Sequence, residues 1–304
     1  MLSSATVIIM NKKLRGSISL LTATVIWGFS FIAQSVGMDK MGPFTFQFLR
    51  CSLAVIFLIP FSFLLEMRKC STAESVKRWK DPKLWKAGLI CGGALFMGVS
   101  LQQMGLQYTD AGKAGFITAM YIVLVPILGL FLKRKPPVTA VLSVLLAVVG
   151  LYLLSCMGVT EINKGDILLM GCALGFAIQI TIVDLVAGGV DGFRLNCAQS
   201  LVVACISLPI LLLTEPISIP DILSCWGPLL FAGVLSMGLA FSLQIVGQKD
   251  LEPTAASLIM SLESVFAALG GWWLLHERMT AWELAGCGLV FAAVLISQLP
   301  DRRK

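Results

Sequence analysis

Between Ala114 and Leu132 the chain is apolar apart from Gly115, Thr118, Pro126 and Gly129, and the run then stops at Lys133-Arg134-Lys135. A helix needs about 20 such residues to cross the roughly 30 Å hydrocarbon core of a bilayer. A short basic cluster straight after such a run marks the side on which the loop is retained, the cytoplasmic side. Just upstream stand Gln103 and Gln107, four residues apart and so expected on one helical face. A polar face on a spanning helix turns towards protein or water rather than lipid. This one segment therefore predicts a membrane span, an orientation and an interior face.

The same pattern recurs along the chain. Ten apolar runs cover roughly 16–36, 44–65, 85–107, 112–132, 138–156, 166–186, 194–213, 226–247, 254–275 and 281–299. Of the 304 residues, 57% are hydrophobic and 13% charged, whereas soluble domains average about 45–50% and about 25%. The expectation is an all-α polytopic membrane protein embedded in a lipid bilayer. The connections are short except for a basic, Trp-bearing loop between Glu66 and Lys83, so no soluble domain is expected. A start at Met10 is an alternative to Met1. A cleaved signal peptide is not expected, because the first apolar run is too long for a signal core.

Lysine and arginine set the topology. With the N-terminus inside, the inner segments hold 18 (residues 12, 13, 15; 68, 69, 77, 78, 80, 83, 86; 133–135; 194; 249; 302–304) and the outer ones four (Lys40, Lys113, Lys164, Arg278). That asymmetry predicts cytoplasmic termini at both ends of the chain. It also accounts for the net charge of +6 without a nucleic-acid partner. The nine cysteines are scattered and form no CxxC pair, so neither a metal site nor a disulfide framework is expected.

The two halves look related. Gly28-Phe29 matches Gly175-Phe176, Pro60 matches Pro209, Arg50 matches Gln199, and Gln103/Gln107 matches Gln244/Gln248, all at offsets of 141–149 residues. Five spans per half is odd, so equivalent spans would run in opposite directions. Such inverted repeats place a substrate site at the interface between the halves. The expected divisions are a cytoplasmic segment 1–15, five-helix repeats at 16–156 and 166–299, and a basic cytoplasmic tail at 300–304.

The sequence resembles the EamA-type members of the drug/metabolite transporter superfamily. The resemblance rests on Trp27-Gly28, Phe48-Leu49-Arg50, the run Gly105 to Phe116, Tyr121 to Pro126, Leu262 to Phe266, His276-Glu277-Arg278 and Thr280. It departs at Ser264, where the family often has proline after Leu-Glu. It implies ten helices in two inverted repeats, a cavity lined by spans 1, 3, 4, 6, 8 and 9, and movement of small metabolites, often outward.

Several residues could carry that activity. Glu263 stands in the middle of span 9, where a charged side chain costs about 2.5–3.5 kcal/mol on insertion scales. It is either a proton-coupling group (or partner for a cationic substrate) or a protonated or paired carboxyl holding helices together. Arg50, two turns into span 2, either snorkels or pairs structurally, or contacts an anion at the cavity mouth. Gln103, Gln107, Gln244 and Gln248 suit a polar neutral or zwitterionic substrate, and interhelical hydrogen bonds explain them equally well. Thr118 and Tyr121 share a face of span 4, and Trp27 offers either a cavity wall or an interfacial anchor. Asp110, Lys113 and Asp184 are expected to be solvated, and His276 to sit in a loop.

These features predict a secondary transporter of a small polar, amino-acid-like metabolite, with neither cofactor nor catalytic machinery. No G-x-x-x-x-G-K-[ST] run is present for nucleotide hydrolysis. An integral membrane enzyme and a non-transporting membrane partner are the alternatives, and a homodimer stays open.

Overall fold

A computed structural model of the protein describes residues 4–67, 71–155, 162–274 and 278–298. Cys156, His276 and the tail 300–304 lie outside the described residues. The secondary structure is helical: α1 (Ser4–Met38), α2 (Pro43–Glu66), α3 (Thr72–Trp79), α4 (Pro82–Gly105), α5 (Ala111–Ala119), α6 (Tyr121–Phe131), α7 (Val138–Ser155) and α8 (Lys164–Val186). It continues with α9 (Gly192–Thr214), α10 (Ile219–Ser224), α11 (Trp226–Leu230), a π-helical stretch Phe231–Ala240, α12 (Phe241–Gln248), α13 (Pro253–Met260), α14 (Leu262–Leu274) and α15 (Ala281–Ser297). Eight stretches among the described residues are long and apolar enough to cross a bilayer. The shorter apolar helices Val138–Leu154 and Ala281–Ser297 stand at about the 17-residue lower limit for a span.

Local chemistry sets the helix starts. Pro43 and Pro82 sit in first turns, where a missing N–H costs nothing. Ser71/Glu74, Asn163/Asp166 and Thr280/Glu283 form reciprocal capping boxes that satisfy otherwise orphaned N–H groups. The loop expected at 66–83 carries α3. The third span ends at Gly105, so Gln107 falls in an exposed turn, and the helical face inferred for Gln103 and Gln107 does not extend that far.

Counterpart spans pack on one another, α2 on α9 and α7 on α15, and α4 of the first half packs on α8 of the second. Two crossings need glycine. A methyl group on Gly247 would sit 2.8 Å from the Gly16 carbonyl, and one on Gly165 would sit 2.7 Å from that of Gly105. In lipid, where apolar burial gives little net drive, such close backbone approach is a main source of helix affinity. The two crossings are counterparts: 247 − 105 is 142 and 165 − 16 is 149.

Three spans are interrupted. The fourth breaks at Met120, between α5 and α6, and the ninth at Ser261, between α13 and α14. The second break occurs without the proline that the family often carries at the position of Ser264. In the eighth span the π stretch widens the helix, and Asn196 Nδ2 donates to the Met237 and Gly238 carbonyls at 2.8 Å each. That amide meets backbone acceptors which the widened turn presents.

Lys113 and Asp184 differ from the solvated placement expected of them. Lys113 Nζ donates to Asp166 at 2.6 Å, with its side chain 14% exposed. Asp184 accepts from Arg134. Asp110 is exposed, as expected.

Candidate functional site

The breaks in the fourth and ninth spans meet. Tyr121 begins α6 and Glu263 is the second residue of α14, and the Tyr121 hydroxyl donates to Glu263 Oε1 at 3.1 Å. Glu263 is 5% exposed. Both line a central cavity with Trp27, Phe31 and Gln34 of α1, Arg50 of α2, Val99 and Gln102 of α4, and Phe176 and Ile180 of α8. Ser236, Phe241, Gln244 and Met260 complete it. All six expected spans thus contribute, and Arg50 adds the second. The cavity leaves about 40 Å³ for the centres of water-sized spheres, against roughly 10–15 Å³ for one water. It holds a few waters or a few ligand atoms as it stands.

Arg50 is 2% exposed and does not snorkel to an interface. Its Nη1 donates to Gln34 Oε1 at 2.6 Å and its Nη2 to Gln47 Oε1 at 2.7 Å. Gln103 Nε2 shares Gln34 Oε1 at 2.8 Å, and Gln47 Nε2 reaches Ser100 at 3.1 Å. The guanidinium is therefore held by neutral amides, with no carboxylate hydrogen-bonded to it among the described residues.

A second network repeats this one in the other half. Gln244 Nε2 donates to Gln179 at 3.0 Å and to Gln248 at 3.1 Å, Gln199 Nε2 donates to Asn196 at 2.9 Å, and Asn196 Nδ2 donates to Ser242 at 2.9 Å. Gln34 corresponds to Gln179, Gln47 to Asn196, Arg50 to Gln199, Ser100 to Ser242 and Gln103 to Gln244, at offsets of 145, 149, 149, 142 and 141. The duplication is broken at one place, where the first network has a cation and the second has Gln199.

Four buried polar atoms around the cavity have no hydrogen-bond partner among the described residues: Trp27 Nε1, Arg50 Nε, Gln103 Oε1 and Gln244 Oε1. A buried group left unmade costs about 1–3 kcal/mol. The first two are donors and the last two acceptors. The cavity thus offers a cation and an N–H donor from Arg50 and Trp27 and acceptors from Glu263 and Gln244, beside a wall made by Trp27 and Phe241, whose rings meet edge-on at 4.9 Å.

The sequence-derived residues divide accordingly. Trp27, Arg50, Tyr121, Gln244 and Glu263 line the cavity. Gln103 stands one hydrogen bond behind it, and Gln248 braces Gln244 while donating to the Ile180 carbonyl at 3.2 Å. Thr118 is buried against Cys172 at 3.7 Å, outside the lining. Gln107 is exposed and apart from it. The residues that sequence reasoning passed over are Gln34, Gln47, Gln102, Gln179 and Asn196. Gln34 pairs with Gln179, and Gln47 with Asn196, at the same 145–149 offsets as the recognised pairs, which is the signal that could have found them. Among the described residues, no group of three or more His, Cys, Asp or Glu could hold a metal ion.

Ion pairs tie the ends of the bundle on either side of the cavity. At one end, Arg15 of α1 binds Asp250 through two hydrogen bonds of 2.8 and 3.0 Å. Opposite, Asp166 accepts from Lys113 and from Thr109 at 3.1 Å. Spans 2 and 7 are clamped reciprocally. Glu66, ending α2, accepts from Arg194 at 2.8 and 2.5 Å, and Glu215, following α9, accepts from the Phe44 and Thr45 N–H groups at 2.8 and 2.7 Å. Glu66 and Glu215 are 149 residues apart, as are Thr45 and Arg194.

A family model described as the EamA-like transporter family matches residues 14–156 and 163–298. An uncharacterized transporter of Archaeoglobus fulgidus is 33% identical over 295 residues, 95% of this chain and 87% of that one. The uncharacterized transporter YoaV of Bacillus subtilis is 22% identical over 294 residues, 94% and 98% of the two chains. A solved crystal structure superposes with a TM-score of 0.78 at 18% identity, covering 95% of this chain and 98% of its own, a likeness of fold.

Proposed function

This chain belongs to the EamA-like transporter family, and on that premise we propose that it moves a small zwitterionic, amino-acid-like metabolite by alternating access, in the direction of export. The observation that carries the reading is the cavity's divided chemistry. Arg50, held by neutral amides alone and with Nε unused, suits a carboxylate. Glu263 and Gln244 Oε1 suit an ammonium group. The contacting rings of Trp27 and Phe241 give an aliphatic or aromatic side chain a wall to lie against. Gln103 and Gln248 hold these groups in place, and Thr118 supports the break beside Tyr121, while Gln107 has no evident role.

Alternating access follows from two inverted repeats spanning about 16–156 and 166–299. Support comes from the double family match, from the reciprocal clamp of spans 2 and 7, and from the paired breaks of spans 4 and 9. Rocking the halves opens the two ends of the bundle in turn, so Arg15–Asp250 and Lys113–Asp166 would break in alternation. Charge asymmetry of the loops supports a cell-membrane protein with both termini in the cytoplasm. Glu263 would take up a proton when the Tyr121 contact opens, coupling the cycle to a proton gradient.

The test is flux of labelled amino acids in proteoliposomes with an imposed proton gradient. Arg50→Gln is expected to cut uptake by about 10- to 100-fold, the equivalent of one or two charge-assisted hydrogen bonds. Glu263→Gln, which keeps a carbonyl acceptor for the ammonium group but has no proton to exchange, is expected to slow exchange and abolish gradient-driven accumulation. Unchanged flux in Arg50→Gln would remove the carboxylate role, and unchanged accumulation in Glu263→Gln would remove proton coupling.

A further inference from the structure

A groove that shares no residue with the central cavity lies on the flank of the bundle. Val55, Ile59 and Phe63, four residues apart on α2, form one wall, and Cys197 and Leu201, four apart on α9, form the other. Val76 and Trp79 of α3 and Trp85 of α4 complete it, so every lining side chain is apolar or aromatic. It leaves about 240 Å³ on the measure that gives the central cavity about 40 Å³. From Val55 to Phe63 the α2 wall is about 12 Å long at about 1.5 Å per residue, so the groove is elongated and suits a chain.

The end beside α3 is held by a chain of side-chain contacts. Trp85 Nε1 donates to the Trp79 carbonyl at 2.7 Å. The Trp79 ring lies against Arg194 at 5.5 Å, which Glu66 and Ser75 hold in turn. Trp79 Nε1 is buried and has no acceptor among the described residues. Around this end stand Lys77, Lys80, Lys83 and Lys86, all exposed and all without an ion pair among the described residues. The acids nearby are committed elsewhere. Glu74 caps α3, Asp81 caps α4, and Glu66 is held by Arg194 and Arg78. The groove is thus an apolar slot that ends in surplus positive charge and an unused N–H donor.

We propose that this groove binds one anionic phospholipid. An acyl chain lies along Val55, Ile59 and Phe63 against Leu201. The phosphate faces the four lysines, and Trp79 Nε1 donates to a phosphate or ester oxygen. Tryptophans at headgroup level and clustered lysines beside an anionic surface both place the lipid in this orientation. A peptide or a second copy of the chain would answer the apolar slot but not the cationic end with its buried donor.

The test uses the full-length protein, stripped of lipid in detergent and given phosphatidylglycerol or phosphatidylcholine with the same acyl chains. Native mass spectrometry reads retained lipid, and thermal unfolding reads stabilisation. Wild type is expected to retain phosphatidylglycerol at least about tenfold better, since several cations near the headgroup each favour the anionic lipid. The variant with Lys77, Lys80, Lys83 and Lys86 all replaced by Gln is expected to bring that ratio to about one, with phosphatidylcholine retention unchanged. Leu201→Trp, which fills the slot, is expected to lower retention of both lipids. Trp79→Phe, which keeps the ring and removes the donor, is expected to weaken both lipids and leave their ratio unchanged, because both carry the phosphate and ester oxygens. No preference in wild type, or a preference that survives the lysine variant, overturns the proposal. Full competition by soluble glycerol phosphate also overturns it, because that would make the site an anion site without a lipid.

Discussion

Glu66 and Glu215 end counterpart helices and clamp one another's partners, yet their replacement by glutamine should cost very different amounts. Arg194, 2% exposed, gives both guanidinium arms to Glu66 and one to Ser75 at 2.8 Å. In Glu66→Gln the cation stays buried beside a neutral group. Breaking a buried pair from one side costs about 3–5 kcal/mol. Glu215 faces two backbone N–H groups and the Thr45 hydroxyl at 2.7 Å. A glutamine keeps only one of the two accepting oxygens and turns its NH2 towards the other N–H, so the loss is one hydrogen bond together with the charge at a helix N-terminus, about 1–3 kcal/mol. Reversible unfolding in mixed micelles, followed by far-ultraviolet circular dichroism, should therefore rank the cost of Glu66→Gln above that of Glu215→Gln, by about 2 kcal/mol. The pair Glu66→Met with Arg194→Met should recover most of the loss, because neither charge is then left unpaired. Equal costs for the two glutamine variants, or a double variant no better than Glu66→Gln, would refute the claim that the buried cation sets the energy.

Other perturbations separate the remaining features. Gly247→Val puts carbon 2.8 Å from the Gly16 carbonyl and should cost about 1–3 kcal/mol by overpacking, whereas Gly93→Ala, with nothing within 4 Å, should leave unfolding unchanged. Ser264→Pro should cost well under the roughly 3 kcal/mol of a mid-helix proline, because Ser264 N–H bonds Ser261 at 3.2 Å across the break and lies in the first turn of α14; a full-size loss in thermal unfolding would contradict this. Asn196→Leu strips the Met237 and Gly238 carbonyls of their donor and should destabilise by about 1–3 kcal/mol, read by the same unfolding assay.

The spans were legible because a membrane core demands long apolar runs, and that demand is met residue by residue. Glu263 and Arg50 were legible because a charge in such a run is conspicuous wherever it points. The amides were harder. Gln34 and Gln179 look alike in the sequence whether they face lipid headgroups, a neighbouring helix or a cavity, and only the register between helices decides. Gln107 was over-read because the four-residue spacing holds only while the helix continues, and it ends at Gly105. The breaks at Met120 and Ser261 carry no proline or glycine at the break itself. They arise where two helices bring Tyr121 to Glu263, a contact 142 residues apart in sequence. Lys113 was misplaced for the same reason, since its partner Asp166 lies 53 residues on.

The reciprocal clamp has a consequence for synthesis. Glu66 and Arg194 are separated by 128 residues, and at about 5–20 residues per second the carboxylate leaves the ribosome about 6–26 seconds before its partner. Through that interval Arg78, 12 residues downstream, is the cation within reach, and α3 can hold the end of α2 until the seventh span arrives. The first six spans are therefore born as a provisional assembly, and a pause or truncation before residue 194 should leave them exposed to membrane quality control.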